Sequence, residues 1–171
     1  PQVSAFLAQE HGQFIDGQLI PAAGGQRLPV VNPANGQTIA NVAGATADEV
    51  EQAMQSADRA LKGEWGKSLP AQRQQILLRF ADLLEAHREE IAQLETLTNG
   101  KLIGSSRLFE VDHTCVFIRY YAGWATKLHG ETLAPSIPSF NGERYTAMTY
   151  REPVGVVAAI IPWNFPVMIA I

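Results

Sequence analysis

The residue types best suited to chemistry stand in the run Pro162-Trp163-Asn164-Phe165-Pro166. An asparagine amide is a neutral donor that can stabilise developing negative charge without titrating, and two flanking prolines stiffen the backbone that carries it. The sole cysteine, Cys115, is a possible nucleophile by type. Its neighbours Thr114, Val116, Phe117 and Ile118 lack the small-residue turn that exposes a catalytic thiolate, and His113, two positions away, lies on a different helical face. Cys115 therefore reads as core packing. Phe109, His113 and Phe117 recur at i, i+4 and i+8, which places them on one helix face. The other histidines, His11, His87 and His129, share no metal-ligand spacing with His113, so no metal site is expected.

The elements that must position these residues follow from local signals. Asp16-Gly17 lies between the apolar pairs of Phe14–Ile20, and Asn35-Gly36 separates Val30-Val31 from Thr38–Val42; both patterns predict hairpins with left-handed turns. Thr46-Ala47-Asp48-Glu49 is a capping box opening a helix whose face of Val50, Ala53, Met54, Ala57 and Leu61 is expected to be buried. Ser68 and Pro70 open a second helix, with Ile76, Leu77, Phe80, Leu83 and Leu84 opposite Arg73, Arg79, Asp82 and Glu85, running on to Asn99-Gly100. A third helix, central and apolar on most sides, spans about Arg107 to Tyr121. After a proline-bearing loop from Gly130 to Pro138, Tyr145–Arg151 returns to β-type composition. Val154–Ile161 is apolar at successive positions, the habit of a strand covered on both faces in a parallel α/β sheet. The carboxyl end of such a strand opens on a ligand crevice, which is where Asn164 would stand.

Composition narrows the function classes. The chain has 171 residues, 46% hydrophobic and 18% charged, a globular composition. Thirteen Lys+Arg against 17 Asp+Glu give a net charge of −4, without the basic surplus that nucleic-acid binding demands. One cysteine suits a reducing compartment, with the cytoplasm as the default, and Pro1–Glu10 carries no signal-peptide pattern. Val154–Ile171 invites a membrane reading, but a spanning helix needs about 20 apolar residues and Pro162 and Pro166 would interrupt it, so no membrane partner is expected.

The run Ile160–Pro166, preceded by Glu152-Pro153-Val154-Gly155-Val156, resembles the signature of the NAD(P)-dependent aldehyde dehydrogenase superfamily. Val31-Asn32-Pro33 with Asn35-Gly36, Glu95-Thr96-Leu97 with Asn99-Gly100-Lys101, and Arg119–Trp124 agree with it in order and spacing, from about Phe14 to the last residue. Ser106–Val111, Thr126-Lys127 and Ser136-Ile137-Pro138 are similar to the phenylacetaldehyde dehydrogenases of aromatic degradation.

The resemblance implies a Rossmann-like, doubly wound α/β coenzyme domain with a β-hairpin oligomerisation arm. Residues 1–129 would be the N-terminal part of that domain, 130–152 an arm segment, and 153–171 the first core strand and its loop. It further implies NAD-dependent oxidation of an aldehyde, an arylacetaldehyde such as phenylacetaldehyde, through a cysteine thiohemiacetal, hydride transfer and thioester hydrolysis. Asn164 would be an oxyanion donor; Ile160, Ile161, Pro162, Trp163 and Asn164 would line the NAD site; Phe109, His113, Phe165 and Met168 would line the substrate tunnel. The family's chain is about three times as long, so nucleophile and general base are expected beyond Ile171, the fragment alone is expected to be inactive, and the protein to be a homodimer or homotetramer. Many similar enzymes carry an aspartate of a monovalent-cation site where this chain has Thr98; the backbone at Val31 could still contribute. A non-catalytic oligomerisation or binding module derived from such an enzyme is the alternative.

Overall fold

The computed structural model describes residues 2–21 and 26–171. A short helix α1 (Gln2–Leu7) precedes the hairpin β1 (Gln13–Ile15) and β2 (Gln18–Ile20). Asp16 and Gly17 turn it with φ of 56° and 74°, the left-handed pair that a two-residue hairpin demands. A second antiparallel pair joins β3 (Arg27–Val31) to β4 (Thr38–Ala43), with a register shift between Val30 and Val31 and a turn at Gly36, φ 72°. The Asn32 carbonyl accepts from Asn35 and Gly36, and its side chain accepts from the Ala34 N–H at 2.9 Å, so the Asn-Pro-Ala-Asn-Gly turn closes on itself.

Helix α2 (Ala47–Lys62) starts at the expected capping box: the Glu49 N–H donates to Thr46 Oγ1 at 3.3 Å, and the Thr46 N–H donates to Glu49 Oε2 at 2.7 Å. Its apolar face is not buried, contrary to expectation. Val50 is 49% and Met54 51% exposed, on a groove of about 340 Å³ shared with Phe14, Ile15 and Val156–Ala158. A two-stranded hairpin and one further segment are too narrow to cover a four-turn helix.

A single turn α3 (Glu64–Lys67) leads to α4 (Pro70–Ala86) and α5 (Arg88–Asn99). The long second helix is thus two, broken at His87, whose φ of −99° and ψ of 17° depart from helical geometry. Asn99-Gly100 terminates α5 as expected, with Gly100 left-handed at φ 84°. The α4 stripe divides: Ala81 is fully buried and Leu77 and Leu84 are half-buried, whereas Ile76 and Leu83 are 52% exposed.

The third helix is longer and less regular than its periodicity suggests. It begins with α6 (Ile103–Ser105), widens into a π-helical segment Ser106–Asp112, and resumes as α7 (His113–Trp124). Its central place holds: Val111, Cys115, Ile118 and Ala122 are buried, and Ala92, Val111 and Cys115 form a core against Leu84, Ile91 and Ile103. Arg88 grips both Asp112 oxygens at 2.5 and 2.6 Å, and Arg119 reaches Asp82 and Glu85 at 2.8 and 2.5 Å, fixing this helix to α5 and α4.

Beyond it, β5 (Thr132–Leu133) pairs with β6 (Ala147–Met148), a two-residue remnant of the strand expected over Tyr145–Arg151. The described residues hold three two-stranded antiparallel sheets. The run Val154–Ile161 belongs to no strand or helix: Val154 is 90% and Ile160 100% exposed, and Gly155 has a φ of 108°. The first core strand expected at that position has no ladder partner among the described residues. A strand exists only through its ladder, and no described segment supplies neighbouring donors and acceptors. The chain ends in α8 (Pro166–Ala170), and among the described residues no helix is long and apolar enough to cross a membrane.

Candidate active site

The Pro162–Pro166 loop stands between the run Val154–Ile161 and α8. Asn164 is exposed, as are Ile160, Ile161, Pro162 and Trp163, while Phe165 and Met168 are half-buried. Its first anchor is Asn99, whose Nδ2 donates to the Trp163 carbonyl at 2.6 Å. Next to it, the left-handed Gly100 lies so close to Pro33 that a Cβ there would be 2.9 Å from Pro33 Cγ. The Asn-Gly-Lys and Asn-Pro segments, far apart in sequence, therefore meet at this glycine.

Lys101 follows at once and enters a buried group with Glu95 and Glu110. Its ammonium lies 2.8 Å from Glu95 Oε1, donates to Glu110 Oε1, and sits 4.6 Å from the centroid of the Phe165 ring. Glu110 is fully buried on the π-helical segment, and its other oxygen accepts from the Val167 and Met168 N–H groups at 3.2 and 3.4 Å. Burial pushes the Glu95 carboxyl above its usual range, more than Lys101 lowers it. For Lys101 burial acts downward, but the hydrogen bonds to Glu110 and Glu95 prevail and its pKa is raised. The group keeps its ammonium at neutral pH.

Three of the four residues expected to line a tunnel come together. The Phe109 ring meets His113 edge-on at 5.3 Å between centroids and Phe165 at 6.2 Å. Met168 lies one turn beyond Phe165 on α8. Phe117, the third member of the i, i+4, i+8 set, is 45% exposed and remains outside that ring cluster.

Cys115 is 2% exposed, its thiol 3.5 Å from the Ala81 carbonyl and its pKa pushed up by burial, an environment that suppresses the nucleophilic thiolate. Thr98 donates its hydroxyl to the Leu94 carbonyl of its own helix at 2.9 Å. Among the described residues no cluster of His, Cys, Asp and Glu could hold a metal ion. Reading the sequence singled out Asn164 and the aromatics but assigned no role to Asn99, Lys101 or Glu110. The available signal was a glutamate and a lysine beside apolar positions, where a buried charge must be matched.

The arrangement presents an amide donor and an apolar run to one side of a loop, and aromatic rings beneath it. The aldehyde dehydrogenase family model matches residues 20–171. A phenylacetaldehyde dehydrogenase of Pseudomonas fluorescens is 48% identical over 166 residues, 96% of this chain and 33% of the relative. The aldehyde dehydrogenase of Bacillus cereus, solved as an NAD+ complex, superposes with a TM-score of 0.91 at 40% identity over 99% of this chain and 34% of its own. An apo indole-3-acetaldehyde dehydrogenase gives a TM-score of 0.85 at 36% identity over 99% of this chain and 38% of its own. The chain spans about a third of the length of these proteins. Its α/β fold is that of the matching portion of solved aldehyde dehydrogenases, and the chain belongs to the aldehyde dehydrogenase family.

Proposed function

We propose that the protein carrying this chain oxidises an aldehyde to the carboxylic acid, RCHO + NAD+ + H2O → RCOOH + NADH + H+, and that its substrate is an arylacetaldehyde such as phenylacetaldehyde. The observation that carries the reading is the exposed Asn164 amide on a loop anchored on both sides. A thiolate supplied outside these residues attacks the carbonyl carbon, and Asn164 Nδ2 donates to the oxygen as it becomes anionic. Cys115, buried and with a raised pKa, is excluded from that role.

Bound NAD+ supplies the hydride acceptor. Ile160, Ile161, Pro162, Trp163 and Asn164 fit a cofactor wall, because all five are exposed and set apolar side chains beside the Asn164 amide. Phe109, His113, Phe165 and Met168 line the path of the aldehyde. The aromatic cluster and the likeness to phenylacetaldehyde and indole-3-acetaldehyde dehydrogenases support an aryl group there. We assign residues 1–129 and 153–171 to the coenzyme domain and 130–152 to an arm that joins subunits of a dimer or tetramer, and we place the protein in the cytoplasm on the unpaired thiol of Cys115.

The test is Asn164→Ala in the full-length protein. Loss of one oxyanion donor lowers kcat by about 10²–10³, roughly 2.7–4 kcal/mol. Unaltered turnover, under conditions where acylation or hydride transfer limits the rate, refutes the role.

A further inference from the structure

We propose that Asn99, Lys101 and Glu110 form a clamp that sets the position of Asn164, making them positioning residues; the inference rests on Asn164 being the oxyanion donor. The loop that carries Asn164 is held by side chains from the stretch 99–110. It is gripped one residue before Asn164, where Asn99 Nδ2 meets the Trp163 carbonyl at 2.6 Å. The second grip falls immediately after it, where Phe165 lies under Lys101 and against Phe109. A third is at Val167 and Met168, held by Glu110 Oε2.

The third grip is complete in its hydrogen bonding. A helix opens with N–H groups that its own turns cannot satisfy. In α8 the first position is Pro166, which has none; Val167 and Met168 donate to Glu110; Ile169 donates to the Phe165 carbonyl at 3.0 Å. A single carboxylate thus closes the start of α8 while its other oxygen takes the Lys101 ammonium. A glutamate that is 0% exposed is retained at such cost only where several donors converge on it, and here three do. Glu95 Oε1, 2.8 Å from the Lys101 ammonium, gives it a second carboxylate partner.

The experiment is hydrogen–deuterium exchange by mass spectrometry on the full-length protein and its variants N99A, E110Q and E110A, with kcat, KM and NAD+ affinity measured in parallel. Exchange over 163–170 is expected to accelerate about tenfold or more in N99A and E110A, with peptides from α4 and α7 unchanged. E110Q, which keeps an acceptor but not the charge, should fall between them and the parent. Turnover in N99A should fall by about 10²-fold with KM for the aldehyde little altered, as expected for a displacement of the donor by about 1 Å. Should E110A not fold, N99A and E110Q carry the test. Unchanged exchange over 163–170 in both overturns the clamp. Faster exchange with undiminished kcat upholds the clamp and overturns Asn164 as the oxyanion donor.

Discussion

Replacing Phe109 by alanine tests the tunnel assignment through a ratio. The ring is 38% exposed, so part of it is free for an incoming group while its edge contacts with His113 and Phe165 hold the rest. An aromatic pair contributes about 0.5–1.5 kcal/mol beyond area burial, so a phenyl substrate resting on Phe109 gains that amount and acetaldehyde gains none. The same truncation loosens His113 and Phe165, but that loss falls on both substrates and cancels in the ratio of their kcat/KM values. Phe109→Ala in the full-length protein should therefore lower phenylacetaldehyde against acetaldehyde by about 2- to 13-fold. Phe109→Leu, which keeps bulk without the ring quadrupole, should recover only part of it. Steady-state NADH formation with the two aldehydes, beside a thermal melt of each variant, supplies the numbers. A ratio equal to the parent's would show that this ring does not meet the substrate.

The Glu89–Arg107 pair makes a pH-dependent contribution to stability. Arg107 and Gln93 donate to the Glu89 carboxylate and lower its pKa from 4.5 to about 2, so the contribution is complete above the unfolded-state value and is lost as pH falls from about 4.5 through 2. In E89Q the difference in Tm from the parent should be present at pH 7 and shrink across that acid window; a constant difference from pH 7 to 2 would refute it. Cys115 should resist a thiol-specific disulfide reagent in the native protein at neutral pH and react fully once denaturant is added. Stoichiometric labelling of the Cys115 peptide, read by mass spectrometry on the folded protein, would refute its packing.

What could be read from the letters was local. Asp16-Gly17, Asn35-Gly36, the Thr46–Glu49 box and the stop at Gly100 each depend on a few neighbouring residues, and each stands where expected. Burial depends on what the rest of the chain brings, and there the reading overreached. Val50, Met54, Ile76 and Ile160 report a need for cover, not its presence. The break at His87 has no proline or glycine to mark it, and the π-helical segment no compositional sign at all. In the site, Phe109, His113 and Phe165 met because helical spacing on one element brought two of them together and the short loop delivered the third. No site role could be read for Asn99, Lys101 and Glu110, because their value lies in partners such as Trp163 and Val167, far away in the sequence.

The wide turn at Ser106–Asp112, closed by the His113 N–H donating to the Leu108 carbonyl, acts as a phase shifter in an otherwise ordinary helix. Within it, Glu110 must face α8; downstream, Cys115 and Arg119 must face α4. In a regular helix each residue advances the face by about 100°, so removing one residue from this stretch would rotate one set of contacts out of alignment with the other. Length at this point is therefore as constrained as residue identity: trimming a single position would separate the arm that steadies the loop from the scaffold on which that arm is mounted.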